Sequence, residues 1–472
     1  MSLARARFFE EHRRIWNDSS SAGGWGAAYH RRLQAIYRFL VSPGRRVLEI
    51  GSGKGDLLHA VAPQHGVGVD FADQMVSAAR QRYPDLEFIE SSIEEASIDG
   101  TFDYIVLSDV VNDLWDIQDV LERCRAWCHP RTRLIFNIYS RTWQPILRSA
   151  RKLRLARPTP VQNWVTADDL SNFLRLAEFE VLRSWSEILW PLPMPLINPI
   201  CNKFLVKLWP FRLAGLTHFV VARPAPKAPD HLDRHRVSVV VPARNESGNI
   251  RTILEQLPEL GSGTEILFVE GHSTDDTYEV IEKEIKAFPK RDAKLFRQPG
   301  KGKNDAVRLA FSKASGDILM IFDADITVPP EDLRRFYHAL VTQNGEFVNG
   351  VRLVYPMESQ AMRFFNLLGN KFFSFAFSTI LGQNIKDTLC GTKVMWREDY
   401  HRLEDNRSYF GDFDPFGDFD LIFGAAKLNL KLIDLPVRYR ERTYGSTNIN
   451  RWSHGWLLMK MVVFAARRIK FV

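Results

Sequence analysis

Apolar residues in this chain gather into short unbroken runs, each ending on a polar or acidic residue and followed by a helical pattern. Runs without polar alternation read as strands buried on both faces, as in parallel sheets. The plainest is 318–322, ILMIF, which runs straight into Asp323-Ala324-Asp325, with Pro329, Pro330 and Glu331 opening the next helix. The same half carries VSVVVPARNE at 237–246, EILFVE at 265–270 and a short strand at 294–297, each followed by a loop and a helix. Ser273 or Thr274 would cap the helix after the second of these. In the first half, RRVLEIGSGKGDLL at 45–58 is a strand, three glycines (Gly51, Gly53, Gly55) and a helix. Further strands follow: GVGVD ending at Asp70, 86–90 leading into Ser91-Ser92-Ile93-Glu94, FDYIVLSD ending at Ser108-Asp109, and 134–138. This alternation predicts an α/β protein of two doubly wound parallel sheets, with ligand loops beyond their carboxyl edges.

A chain of 472 residues exceeds one ordinary core. The Pro- and charge-rich stretch ARPAPKAPDHLDRHR divides it into a domain at 1–222, a linker at 223–236 and a domain at 237–472. Hydrophobic content of 45% with 25% charged residues excludes wholesale disorder. A net charge of +7 suits phosphate-bearing substrates or an anionic membrane surface, and no Lys/Arg run or nucleic-acid motif points to nucleic acid. The four cysteines lack paired metal spacing; Cys124 and Cys128 are expected to share a helix face, and free thiols fit a reducing cytoplasm. The start of the chain lacks the apolar core of a signal peptide, and no charge-free run reaches the ~18–20 residues of a membrane span.

Three segments nevertheless suggest a membrane surface. Residues 188–216, ILWPLPMPLINPICNKFLVKLWPFRLAGL, are aromatic and proline-rich. They read as an interfacial lid, with Trp190, Trp209 and Phe211 at headgroup level and Lys203, Lys207 and Arg212 facing phosphates, or else as a docking surface for the second domain. Residues 362–381 are dominated by phenylalanine, and 452–472 by apolar residues with Arg467, Arg468 and Lys470 near the end. Together they predict peripheral attachment to the inner, cytoplasmic face of an anionic membrane.

The chemistry lies where the runs end. Two carboxylates one residue apart at the end of a buried strand, Asp323 and Asp325, suit Mg²⁺ or Mn²⁺ shared with substrate phosphates. The glycines at 51, 53 and 55 let backbone approach a ligand and leave N–H groups free at a helix start. Asp70 is placed to take the hydroxyls of a ribose.

VLEIGSGKGDLL, VGVDFADQMV and FDYIVLSDVVND resemble the successive motifs of class I S-adenosylmethionine-dependent methyltransferases over about 45–150. The resemblance implies a Rossmann-like domain with Gly51, Gly53 and Gly55 around the methionine moiety and Glu49 orienting its amino end. It also implies Asp70 on the ribose, Ser92 and Ile93 beside the adenine, and Ser108 and Asp109 on the pocket floor. A nicotinamide site fits less well, since the spacing is G-x-G-x-G. The methyl-transfer base stays open among His30, Tyr29 and Asp109, with His30 as readily a surface residue, and a non-catalytic binding module is the alternative.

The second half, over about 237–450, resembles family 2 glycosyltransferases of the GT-A fold, particularly the dolichyl-phosphate mannose synthase-like branch. The resemblance implies that Pro242, Arg244, Glu246 and Glu270 frame the nucleotide, with VEGHSTDDT in place of the commoner VDDGSTDGT. It makes Asp323 and Asp325 the metal and diphosphate residues and brings Arg352 and Arg442 to the donor phosphates. Thr447 and Asn448 replace the usual Ser-Lys. The acceptor side falls at Asp387–Lys393. Lys393 would hold an anionic acceptor; a sugar hydroxyl would need a base, from Asp387, Asp418 or Asp420. A bifunctional enzyme is therefore expected: metal-dependent, inverting sugar transfer from a nucleotide-sugar to a polyprenyl phosphate, with S-adenosylmethionine-dependent methyl transfer. The alternative acceptor is a growing glycan or soluble molecule.

Overall fold

The computed structural model describes residues 3–18, 26–153, 159–227, 229, 231–352, 354, 364–410, 417–440, 442, 444 and 451–472. It divides into two compact units, residues 1–225 with 471–472, and residues 226–470.

The first unit is built on strands β1 (Arg46–Ile50), β2 (His65–Asp70), β3 (Glu87–Glu90), β4 (Phe102–Ser108), β5 (Cys128–Tyr139), β6 (Phe179–Glu187) and β7 (Thr217–Pro224). They form one sheet in the order β3-β2-β1-β4-β5-β7-β6. Neighbours among β1 to β5 run parallel, while β7 is antiparallel to both β5 and β6. The expected all-parallel sheet is thus corrected to a mixed one. A hairpin-like return needs no crossover helix, so β6 and β7 escaped the strand–helix rhythm that revealed the other five. The chain moves from β1 outward to β2 and β3, then returns to place β4 on the other side of β1. That reversal opens a crevice at the carboxyl ends of β1 and β4. Cys128 opens β5 instead of sharing a helix with Cys124, which ends Ile117–Cys124, and all four cysteines are free.

Residues 188–216 stand between β6 and β7 and contain only short helical turns. Their internal bonding revises the expected lid. Asn202 is buried and staples the segment, accepting from the Trp190 N–H (2.7 Å) and donating to the Trp190 carbonyl (2.6 Å). Lys207 does not face outward; it pairs with Glu187 at the end of β6, which also accepts from Arg32 (3.2 Å) and Trp185 (2.8 Å). Trp190 is half-buried, whereas Trp209 and Phe211 are exposed.

The second unit contains β8 (Arg236–Ala243), β9 (Gly263–Glu270), β10 (Asp292–Arg297), β11 (Ile318–Ile321), β12 (Phe347–Val351), β13 (Lys393–Trp396) and β14 (Leu432–Pro436). Their order is β10-β9-β8-β11-β13-β12-β14. β13 runs antiparallel to β11 and β12, so this sheet too is mixed. The reversal has a chemical use: the start of β13 lies at the edge where β11 and β12 end. The connection from β7 to β8 is confined to 225–235, shorter at both ends than the linker read from composition. Each sheet packs in its own apolar core, one around Leu48, Ile105 and Phe136, the other around Val239, Phe268 and Met320.

The apolar stretches of the second unit are helices, Phe364–Leu381 and Arg451–Ala465, the latter continuing as a wider turn through Ala466–Lys470. Among the described residues, no helix is long and apolar enough to cross a membrane.

Candidate functional site

In the first unit the residues expected at the ligand gather on the carboxyl edge of β1, β2, β3 and β4. Gly51, Gly53 and Gly55 all have positive φ (74°, 50° and 76°), the left-handed region that glycine enters without steric cost. A Cβ on Gly51 would run into Val110, and one on Gly55 into Phe88, so the loop is also packed too closely for a side chain. Asp70 locks this loop, accepting the N–H groups of Gly53 (2.8 Å) and Ala72 (2.9 Å). Burial raises the Asp70 carboxyl, against those two bonds. Glu49 is buried, and burial pushes its carboxyl well above the usual carboxylate range. Its Oε2 has no hydrogen-bond partner, and neither do Ser52 Oγ or Ser92 Oγ. Buried polar atoms are nearly always paired, so these orphans, at the carboxyl ends of β1 and β3, suit a polar ligand at that edge. They fit the ammonium and hydroxyl groups of S-adenosylmethionine.

Beside this loop lies a second cluster. Asp109, at φ 58°, accepts from Tyr29 OH (2.8 Å) and Asn137 Nδ2. Asn137 Oδ1 in turn accepts from Tyr37 (2.7 Å) and Ser108 (2.8 Å). Burial brings Asp109 up to about 7, with the Tyr29 and Asn137 bonds opposing. Asp113 reaches about 7 by burial too. Of the three candidate bases, His30 is exposed, and burial raises Tyr29 well above its ordinary value. Asp109, buried in the pocket, is poised near neutrality, where a general base works best. Asn137 and Tyr37 carried no recognisable motif; their role follows from β5 and the helix Gly26–Leu40 meeting β4.

In the second unit the loops after β8, β9, β11 and β12, and the loop before β13, share one edge. Asn245 (φ 58°) accepts the Thr274 N–H (2.8 Å), and Ser273 Oγ accepts the Asn245 N–H (3.1 Å), which knits the first two loops together. Ser273 and Thr274 therefore serve this clasp and not the expected helix cap; the helix Thr277–Ala287 has Asp276 at its cap position, without a side-chain cap bond. Glu270 accepts the Ser273 N–H (2.5 Å) and faces Arg297 at 3.5 Å. Pro242 lies at the end of β8, and Arg244 is exposed.

Asp323 and Asp325 follow β11. Asp323 pairs with Lys303 at 2.5 Å, a contact that no motif signals. Burial opposes ionisation of Asp323, but Lys303, with Lys393 and Arg352 beyond it, holds its carboxyl below the usual range. Asp325 accepts from Arg442 Nη2 (2.7 Å) and Thr327 Oγ1 (2.8 Å). Arg442 also reaches Glu246 (3.2 Å), whose carboxyl burial raises to about 7 against that contact. Between Asp325 and Thr327, Ile326 has φ 53°, a strained conformation for a β-branched residue of the kind that clusters at functional sites.

Arg352 forms a two-pronged pair with Asp387 (2.7 and 2.8 Å). Burial works against the Asp387 charge, yet Arg352 keeps its carboxyl below the ordinary value. Lys393, expected to hold an acceptor, is buried, bonded to the Cys390 carbonyl (2.5 Å) and paired with Asp418 (3.0 Å). Asp420 faces Arg308 (3.0 Å) and Arg407 (3.3 Å). Gly391 crosses directly over the metal-candidate acid: a Cβ there would overlap Asp323 and Lys303. Thr447, Asn448 and 411–416 lie outside the described residues.

No cluster of three or more metal-ligating side chains occurs among the described residues. Mg²⁺ commonly takes only one or two carboxylates and completes its shell with water and substrate phosphates, and the aspartate pair fits that mode.

Residues 238–403 match the family model "Glycosyl transferase family 2", and residues 25–184 match a "Methyltransferase domain" model. The chain carries both domains. Glycosyltransferase AglJ of Haloferax volcanii is 27% identical over 224 residues, 47% of this chain and 69% of its own length. Dolichyl-phosphate beta-glucosyltransferase of Dictyostelium discoideum is 26% identical over 230 residues, 44% of this chain and 68% of its own. Mannosyltransferase PcManGT of Pyrobaculum calidifontis, solved with GDP-Man and Mn²⁺, superposes with a TM-score of 0.35 at 21% identity, covering 52% of this chain and 65% of that one. Across such relatives the chain spans from 30% to 69% of their own length.

Proposed function

We propose that the glycosyltransferase domain transfers a sugar, with inversion, from a nucleotide-sugar to a polyprenyl (dolichyl or undecaprenyl) phosphate, and that the methyltransferase domain is catalytically active with S-adenosylmethionine. One observation carries the choice of acceptor. Among the described residues, each of the three candidate bases for a sugar hydroxyl faces a cation: Asp387 with Arg352, Asp418 with Lys393, Asp420 with Arg308 and Arg407. A carboxylate so paired is a weak base, whereas a phosphate acceptor is already ionised and needs none. The dolichyl-phosphate glucosyltransferase among the relatives supports the same reading.

In this reading Asp323 and Asp325 would hold Mg²⁺ or Mn²⁺, which when bound would supply positive charge for the leaving nucleoside diphosphate. Lys303 and Arg442, which contact those acids, turn to the phosphates. Pro242, Arg244, Glu246 and Glu270 frame the nucleoside. Arg352 acts through Asp387, fixing the acceptor loop. Asp109 receives the proton in methyl transfer. The chain works at the inner face of the membrane, with exposed Phe375 and Trp456 of the second unit among its apolar contacts.

Purified protein incubated with a panel of nucleotide-sugars, Mg²⁺ or Mn²⁺, and polyprenyl phosphate in detergent tests this. The expected outcome is a lipid-extractable sugar from one donor, lost on chelation. Donor hydrolysis without lipid product would move the acceptor to a soluble glycan, and turnover unaffected by chelation would remove the metal.

A further inference from the structure

The insertion at 188–216 rises from the carboxyl edge of the first sheet, the edge that holds the methyl-transfer pocket. Its root is bonded to the end of β5: Ser140 N–H donates to the Leu216 carbonyl (2.7 Å), and Leu216 N–H to that of Ile188 (2.7 Å). Tyr139, the last residue of β5, stacks on Tyr29, which donates to Asp109. The pocket and the insertion are therefore joined along one edge by adjacent residues.

The insertion exposes far more apolar surface than a particle in water needs. Three of its polar side chains, Asn198, Asn202 and Lys207, are turned inward onto backbone carbonyls and Glu187. Ile188, Val206 and Leu216 are buried, but many of its large apolar residues face outward, with Leu196 79%, Trp209 74% and Leu213 64% exposed. The neighbouring helix Gln144–Lys152, which follows β5 at the same edge, adds exposed Ile146, and Leu153 just after it is exposed too. Trp143, just before that helix, donates its indole N–H to the Ala214 carbonyl (2.8 Å), tying the two segments together. Neither 140–153 nor 188–216 contains Asp or Glu, while Arg141, Arg148, Lys152, Lys203 and Arg212 are exposed. An exposed apolar tip flanked by these cations complements an anionic bilayer surface, and a large apolar patch at an active-site mouth marks an interaction site.

We infer that this insertion seats the methyltransferase domain on an anionic membrane, and that its methyl acceptor is a hydroxyl on the headgroup of a lipid presented from that membrane to Asp109. This deepens the proposal that the domain is active, and rests on it. In the transfer, the acceptor oxygen forms a C–O bond to the methyl carbon as the C–S bond breaks. The bonding pair stays on sulfur, which passes from sulfonium to thioether, and the hydroxyl proton goes to the Asp109 carboxylate. A lipid-linked sugar meets these requirements, and the glycosyl transfer proposed above would supply one.

The test uses the full chain and vesicles of equal parts phosphatidylcholine and phosphatidylglycerol carrying a polyprenyl-phosphate sugar. Brominated acyl chains should quench tryptophan emission in the wild type, with a component missing in Trp209→Phe. With methyl-labelled S-adenosylmethionine, label should enter the organic phase. Trp209→Ser with Phe211→Ser should raise KM for the vesicle acceptor at least tenfold relative to a short-chain, water-soluble analogue, with S-adenosylmethionine affinity held. Absent quenching at Trp209, an equal effect of the double change on both acceptors, or labelling of neither acceptor would each overturn the inference. Sugar transfer assayed in the same preparation reads the second site separately, so its failure is not confused with this one.

Discussion

The two candidate sites treat their acidic residues in opposite ways. Around the glycine loop of the first unit, Glu49 Oε2 is buried and unpartnered, and Asp70 and Asp109 are answered by neutral N–H and O–H donors. Around β11 of the second unit, Asp323, Asp325, Asp387, Asp418 and Asp420 each face Lys or Arg. A site that withholds cations from its acids suits a ligand bringing positive charge, as a sulfonium with an ammonium does. A site that stations cations beside its acids suits a metal that replaces them and a diphosphate that takes them up. The same side chain, aspartate, thus serves opposite electrostatics, and the difference lies in its neighbours.

That contrast can be broken most forcefully at Asp325. Asp325→Ala should lower sugar transfer on the order of a thousandfold while leaving S-adenosylmethionine binding intact; loss of both in a folded protein would show that the sites are not independent. Arg352→Ala should leave Asp387 buried and alone, with a loss of about 3–5 kcal/mol in denaturant titration. Activity lost without any loss of stability would instead put Arg352 on the substrate. Glu49→Gln keeps the shape but removes the charge, and calorimetry should find S-adenosylmethionine binding weaker on the order of a hundredfold. An unchanged affinity would mean that Glu49 meets no cation.

A pH series sharpens the contrast further. If Asp109 must be ionised to accept the proton, methyl transfer rises with pH, roughly tenfold per unit below about 7, then levels off; Asp109→Asn should abolish that limb. Stability moves the other way. The unfolded chain releases these protons near the ordinary 3.8, while folded Asp109 and Asp113 keep theirs to about 7, so both subtract stability as pH rises across that window. The smallest effect belongs to Arg440→Ala. It removes a half-exposed pair with Glu331, worth under about 1 kcal/mol, and should leave both activities near wild type.

Where a candidate residue follows a strand directly, its place in the fold was legible in the sequence. The loops at Gly51, Asp70, Asp109, Glu246 and Asp323 each end an apolar run, and parallel strands carry all their carboxyl ends to one edge. Pairings across the chain were not legible. Nothing in the residues around 303 says that Lys303 meets Asp323, or that Arg352 is held by Asp387; those contacts exist only after the crossovers are made. β12 and β14, which pair in parallel, were not read as strands either, and β6, β7 and β13 escaped for the complementary reason. They run antiparallel, and β6 is half-polar where the parallel strands are solidly apolar. The insertion was read for its aromatic residues, but only the fold separates outward Trp209 from inward Lys207.

Gly391 carries a last consequence, for how substitutions would be tolerated. It has no functional group, yet any side chain there would collide with the Asp323–Lys303 pair. A saturation scan scored by sugar transfer should therefore rank Gly391 with the aspartates, and replacement by alanine should be nearly as damaging as replacement by leucine. Intolerance at a position is usually taken as a sign of chemistry or of backbone strain; here it would record only the room that two neighbouring charges already fill.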